Sequence, residues 1–71
     1  MKKTYAYHKP SAESLATIRE LREMFSKLSD NVERLSPKSR EQSVALTNLE
    51  QAAMWAIKAV VCNDPQSVME E

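Results

Sequence analysis

Residues 52–62, AAMWAIKAVVC, contain a single strongly polar side chain, that of Lys58. An α-helix with so apolar a circumference has to be buried on nearly all of its sides. Met54 and Trp55 within it predict packing in a core or an interface rather than contact with a cofactor. A single partner helix covers one side only, and a chain of 71 residues has little room for more helices of its own. We therefore expect copies of the chain to assemble.

The second helix, which contains this stretch, is predicted over about residues 37–62. Its apolar positions recur at steps of three or four, as in one stripe of an amphipathic helix; they are Leu46, Leu49, Ala53, Ala56 and Val60. Ser36 followed by Pro37 is a common way for a helix to begin, with serine as the N-cap and proline as the first helical residue. Ser39 is the alternative N-cap.

A first helix is predicted over about residues 11–35. Ser11 can serve as its N-cap, and Glu13 places negative charge in its first turn. The apolar stripe consists of Leu15, Ile18, Leu21, Phe25, Leu28, Val32 and Leu35. Because the connection to the second helix is so short, the second helix folds back beside the first. The predicted fold is all-α, a two-helix antiparallel hairpin that assembles into a symmetric homo-oligomer.

Two flanking segments differ from this hairpin of residues 11–62. Residues 1–10, MKKTYAYHKP, form a basic and aromatic N-terminal arm without helical periodicity, and Pro10 disfavours helix just before it. Asn63, Asp64 and Pro65 end the second helix, and residues 63–71 are expected to be a frayed acidic tail.

Composition excludes several classes of function. Ten basic and ten acidic side chains cancel, which argues against binding of duplex nucleic acid through many phosphates. Without glycine there is no Gly-rich phosphate loop. One histidine and one cysteine match no metal site, and no acid–base cluster accompanies them, so we expect no cofactor, no metal and no catalytic residue. No apolar run is long enough to span a membrane, no signal peptide is visible, and the single cysteine suits a reducing cytoplasm.

The N-terminal arm combines flat rings with positive charge. Its rings are Tyr5, Tyr7 and His8, and its cations are Lys2, Lys3 and Lys9. Stacking of a base on an aromatic ring contributes about 1–3 kcal/mol, and lysine attracts phosphate as a point charge. The arm is thus a candidate for nucleotide contact. The alternatives are packing on a neighbouring subunit or no fixed structure.

A second candidate site lies at the polar start of the second helix. Arg40 and Thr47 are seven residues apart, two helical turns, so they share a face with Ser43 between them. An arginine fork with hydroxyl groups can receive a phosphate without glycine, and a symmetric assembly would gather several such faces. The alternative is that Arg40 pairs with Glu41 or Glu33 on a solvated surface.

Residues 39–60, SREQSVALTNLEQAAMWAIKAV, resemble the second helix of the phage anti-CBASS protein 2 family. The shared pattern is an arginine, a threonine seven residues later, Leu-Glu followed by Glu or Gln, a methionine, and a closing pair of alanine and an aliphatic residue. Residues 18–25, IRELREMF, are similar to the family's first helix. The resemblance covers roughly residues 15–61, although the first helix is short for the family.

Members of that family are non-catalytic sponges. They hold the cyclic di- and trinucleotide second messengers of a bacterial immune system away from its effector, and they assemble as hexamers of helical hairpins. The resemblance implies that Arg40 and Thr47 line a pocket for cyclic trinucleotides where three subunits meet. It also implies that an N-terminal tyrosine, best matched by Tyr7 with Tyr5 competing, stacks on a base, with Arg22 nearby.

The predicted function is accordingly sequestration of cyclic oligonucleotides in the cytoplasm of a host cell, if a phage encodes the chain. The competing hypothesis is a helical regulatory module that binds a host protein through Met54 and Trp55 and has no small ligand. It explains the second helix equally well, but it assigns no purpose to the arm or to the face that carries Arg40.

Overall fold

The computed structural model describes residues 7–9, 11–64 and 68–70. Most of them lie in two helices, α1 (Ala12–Leu35) and α2 (Arg40–Cys62). Two short strands, β1 (Tyr7–Lys9) and β2 (Val68–Glu70), flank the helices in sequence. Residues 36–39 alone join the helices, and α2 packs back along α1. The predicted two-helix hairpin is therefore confirmed.

The start of α1 follows from its own sequence. Ser11 is the N-cap, as predicted, and its Oγ accepts a 3.2 Å hydrogen bond from the backbone N–H of Ser14. Glu13 lies in the first turn, where the helix dipole favours negative charge. One turn after Ser14, Ile18 is buried, with 5% exposure. The predicted stripe is only partly covered in the single hairpin, because Leu15, Leu28 and Leu35 remain exposed.

The turn between the helices is longer than a helix start at Pro37 would make it. The second helix begins at Arg40 rather than at residue 37, and Ser39 is its N-cap. The Ser39 hydroxyl accepts from the Gln42 N–H at 3.2 Å and donates to the Pro37 carbonyl at 3.0 Å. The Gln42 side chain donates in turn to the backbone carbonyls of Ser36 (2.9 Å) and Glu33 (3.2 Å). Gln42 thereby satisfies carbonyls at the end of α1 that a helix leaves without partners.

Replacing Gln42 with alanine is expected to destabilise the hairpin by about 1–2 kcal/mol, because two carbonyls lose their donor while the helical residue itself is retained. The midpoint of urea unfolding at fixed protein concentration measures this change. Gln51→Ala is the matched control, since Gln51 is an exposed glutamine of the same helix. Equal midpoints for the two variants would contradict the role given to Gln42.

The open end of the hairpin is closed by contacts that the sequence did not predict. The Asp64 carboxylate, just after α2, accepts hydrogen bonds from the hydroxyls of Ser11 and Ser14. We call this set of contacts the Asp64 clasp. Beyond it, β2 pairs antiparallel with β1, with His8 opposite Met69. Where a frayed tail was expected over residues 63–71, Val68–Glu70 is therefore paired with the arm.

Much apolar surface stays uncovered in the single hairpin. Trp55 is 64% exposed and Met54 is 59% exposed. The other large apolar side chains with substantial exposure are Leu15, Met24, Leu28, Leu35 and Val44. Exposed large apolar side chains mark interaction sites where they cluster into a patch, as the neighbours Met54 and Trp55 do in sequence. In the part of the chain that the structure describes, no helix combines the length and apolar character needed to cross a membrane.

Candidate functional site

The face predicted at the start of α2 forms a shallow concavity of about 220 Å³. Arg40 is the first residue of the helix, and successive turns of the same helix supply the remaining walls. The lining residues are Arg40, Ser43, Val44, Thr47 and Asn48. The structure therefore brings together the three residues that spacing placed on one face.

The polar groups of this concavity are available to a ligand. Among the described residues, none accepts a hydrogen bond from the Arg40 guanidinium or forms an ion pair with it, so the alternative pairing with Glu41 or Glu33 is not formed. The first backbone bond of α2 runs from the Ser43 N–H to the Ser39 carbonyl. The N–H groups of Arg40 and Glu41 precede that bond and have no acceptor within the helix. A helix start of this kind attracts anions.

Arg22 lies in a different place, in a groove of about 400 Å³ between the two helices. The α1 side of the groove includes Arg22, Phe25 and Ser26, and the α2 side includes Leu46, Leu49 and Glu50. A neighbouring concavity along α1 adds the cations Arg19 and Lys27. The structure thus separates Arg22 from Arg40 within one hairpin, so the two arginines define two candidate surfaces.

The arm residues are described through their backbone. Tyr7 stands opposite Glu70, and Lys9 stands opposite Val68, in the ladder between β1 and β2. β1 also lies in contact with α2. Tyr5, the competing tyrosine, lies outside the described residues. The structure accordingly gives Tyr7 a defined main-chain position at the open end of the hairpin.

Val44 and Asn48 line the Arg40 concavity but were not predicted. Both follow Arg40 by whole helical turns, four and eight residues later, so the spacing rule that selected Thr47 also selects them. The amide of Asn48 adds donors and an acceptor, and Val44 adds an apolar wall. Asp64 was also missed, because no local pattern links it to the start of α1.

No cluster that could hold a metal is formed by the histidine, cysteine and acidic side chains that the structure describes. The thiol of Cys62 is partly buried at the end of α2. The Lys58 ammonium lies 5.4 Å from the ring centroid of Trp55, an i,i+3 cation–π contact that leaves much of the indole exposed.

Of the comparisons with known proteins, the scan of family models found a match. Searches among curated proteins and among solved structures found no significant match. The family model described as Acb2/Tad1, hairpin domain, matches residues 1–61. The matched range includes the arm, α1, nearly all of α2, the Arg40 concavity and the interhelical groove that contains Arg22. The chain therefore belongs to the Acb2/Tad1 hairpin family.

Proposed function

We propose that the chain is a non-catalytic sponge that binds and sequesters cyclic di- and trinucleotide second messengers, such as cyclic GMP-AMP and cyclic tri-AMP. The family match over residues 1–61 carries this proposal, because membership suggests a role as a phage anti-CBASS sponge. Sequestration would take place in the cytoplasm of the host cell, where the messengers are made, and would keep them from the CBASS effector.

The Arg40 concavity supports binding of a cyclic trinucleotide. Such a ligand carries one phosphate per nucleotide, and an arginine fork forms charge-assisted hydrogen bonds with phosphate oxygens. A concavity of about 220 Å³ is smaller than ordinary pockets for small ligands. Three copies meeting at Arg40, Ser43 and Thr47 would enclose the ligand and give each phosphate its own arginine.

The arm and the interhelical groove that contains Arg22 support a second site, for cyclic dinucleotides. Tyr7, with Tyr5 as the competing candidate, would stack on a base, and the Lys9 ammonium would bind a phosphate. Arg22 is exposed and borders both the interhelical groove and the cationic concavity of α1, so it can serve the same ligand. This site would lie between paired subunits.

The exposed apolar surface supports the assembly that both sites require. Trp55 and Met54 are largely exposed in the single hairpin, and covering them with other copies removes this apolar area from water. We propose a hexamer, in which paired hairpins form the dinucleotide sites and groups of three form the trinucleotide sites.

Calorimetric titration with a panel of cyclic di- and trinucleotides is expected to show tight binding. Nanomolar affinity corresponds to about −12 kcal/mol, which is accessible when two or three subunits enclose one ligand. Ligand released by heat is expected to be chemically unchanged, as mass spectrometry of the supernatant would show. Time-dependent appearance of a linear product would identify an enzyme instead.

The same exposed Met54 and Trp55 favour a second candidate function, a module that binds a host protein. Failure of every cyclic nucleotide to bind a well-folded oligomer would support that module over the sponge.

A further inference from the structure

The Asp64 clasp joins the end of α2 to the start of α1 through one carboxylate oxygen. Asp64 Oδ2 accepts from the Ser11 hydroxyl at 2.6 Å and from the Ser11 N–H at 3.4 Å. The same oxygen accepts from the hydroxyl of Ser14, which is 6% exposed. A carboxylate at this position is stabilised by the N-terminal end of the helix dipole. Asp64 lies beyond residue 61, where the family match ends.

The strand ladder extends the same connection to the arm. β1 ends at Lys9, and a single residue separates it from Ser11 in the clasp. All three residues of β1 are paired with β2, and β2 follows Asp64 in sequence. The segment that carries Tyr7 is thus held at its base by Asp64 and along its backbone by β2.

We infer that Asp64 and β2 are positioning elements that hold the arm in its ligand-binding conformation. The inference rests on the proposed function and concerns only ligands that contact the arm. An arm without these contacts would populate many conformations, and binding would have to select the competent one. The apparent dissociation constant rises as the competent fraction falls, so the segment after α2 sets the affinity for cyclic dinucleotides.

A purely structural role for Asp64 makes a different prediction. An acid that only caps α1 would stabilise the whole hairpin, and its loss would weaken every ligand to a similar degree. A positioning role is selective, because the Arg40 concavity lies beside the turn, at the opposite end of the hairpin from Asp64. The ratio of the affinities for the two ligand classes therefore separates the two roles.

Asp64→Ala is expected to weaken binding of cyclic GMP-AMP about tenfold, if the competent fraction of the arm falls to about one tenth. Binding of cyclic tri-AMP is expected to stay within about twofold of the wild-type value, since its proposed site does not include the arm. Calorimetry of the full-length protein measures both constants. Asp30→Ala removes an exposed acid of α1 and is the control for net charge. Asp64→Asn keeps an acceptor oxygen and is expected to recover part of the lost affinity.

A second variant tests β2 without changing the clasp. In a ladder, successive residues of a strand point their N–H groups in opposite directions, so prolines at both Val68 and Met69 remove at least one N–H that faces β1. This double variant is expected to show the same selective loss of cyclic GMP-AMP affinity. Amide hydrogen exchange of Tyr7–Lys9 is expected to accelerate in both variants, with or without ligand.

Equal losses for the two ligands, unchanged affinity for cyclic GMP-AMP, or unchanged exchange of the arm amides would overturn the positioning role. Tighter binding in the variants would overturn it too, since β2 would then compete with the ligand. Wild-type protein that binds neither ligand overturns the proposed function, and the inference with it. Wild-type protein that binds both, with Asp64→Ala unaltered, overturns the inference alone.

Discussion

Arg40→Ala is expected to weaken binding of cyclic tri-AMP by about 1,000-fold or more, while the assembly keeps its mass. Each charge-assisted hydrogen bond contributes about 1.5–3 kcal/mol, and three copies would lose one fork each at a shared ligand. The guanidinium has no hydrogen-bond or ion-pair partner among the described residues, so its removal breaks no such bond there. Calorimetry gives the affinity, and light scattering coupled to gel filtration gives the mass.

Two further substitutions test whether binding needs the bidentate geometry of the Arg40 guanidinium, its charge alone, or merely an arginine near the turn. Arg40→Lys keeps the charge and loses the bidentate geometry, so an intermediate affinity is expected. Arg34→Ala is the positional control, because Arg34 is an exposed arginine of α1 near the same turn. Its guanidinium donates a 3.0 Å hydrogen bond to Asn31 Oδ1. Cyclic tri-AMP that binds Arg40→Ala as tightly as Arg34→Ala would place the trinucleotide site elsewhere.

Local patterns were sufficient to predict the hairpin. The period of the apolar residues in α1 and the Ser11 cap depend only on neighbours within one or two turns, and both agree with the structure. The start of α2 depends on more than that. By local sequence, α2 could begin either with Ser36 as N-cap before Pro37 or with Ser39 as N-cap. The structure has the second start, in which the Gln42 side-chain amide donates to carbonyls at the end of α1. That contact crosses the turn, where propensity gives no information.

The site was predictable to the same extent as the helix that carries it. Arg40, Ser43 and Thr47 share one concavity because helical spacing alone places them together. The Asp64 clasp links residues 53 positions apart in sequence, and the ladder between the strands is longer in range still. No periodicity reports such contacts, so the part of the structure that holds the arm was not predicted.

Trp55→Glu is expected to convert the oligomer into monomers that have lost most of their helical structure. Trp55 is 64% exposed in the single hairpin, so its burial against other copies would contribute about 2–4 kcal/mol per copy. A glutamate there would instead place a carboxylate in an apolar interface. Light scattering measures the mass, and circular dichroism measures the remaining helix.

Monomers are expected to unfold because a single hairpin buries little apolar surface of its own. Ile18, at 5% exposure, is the one buried apolar side chain within residues 11–64, so a separated copy has little core to resist unfolding. Trp55→Phe keeps an apolar ring and is expected to keep the assembly, whereas Lys38→Glu adds a carboxylate at an exposed turn position and is expected to change nothing. A Trp55→Glu protein with wild-type mass would show that this face is not an interface between copies. The indole would then remain open to a host protein, and the protein-binding module would become the better account of α2.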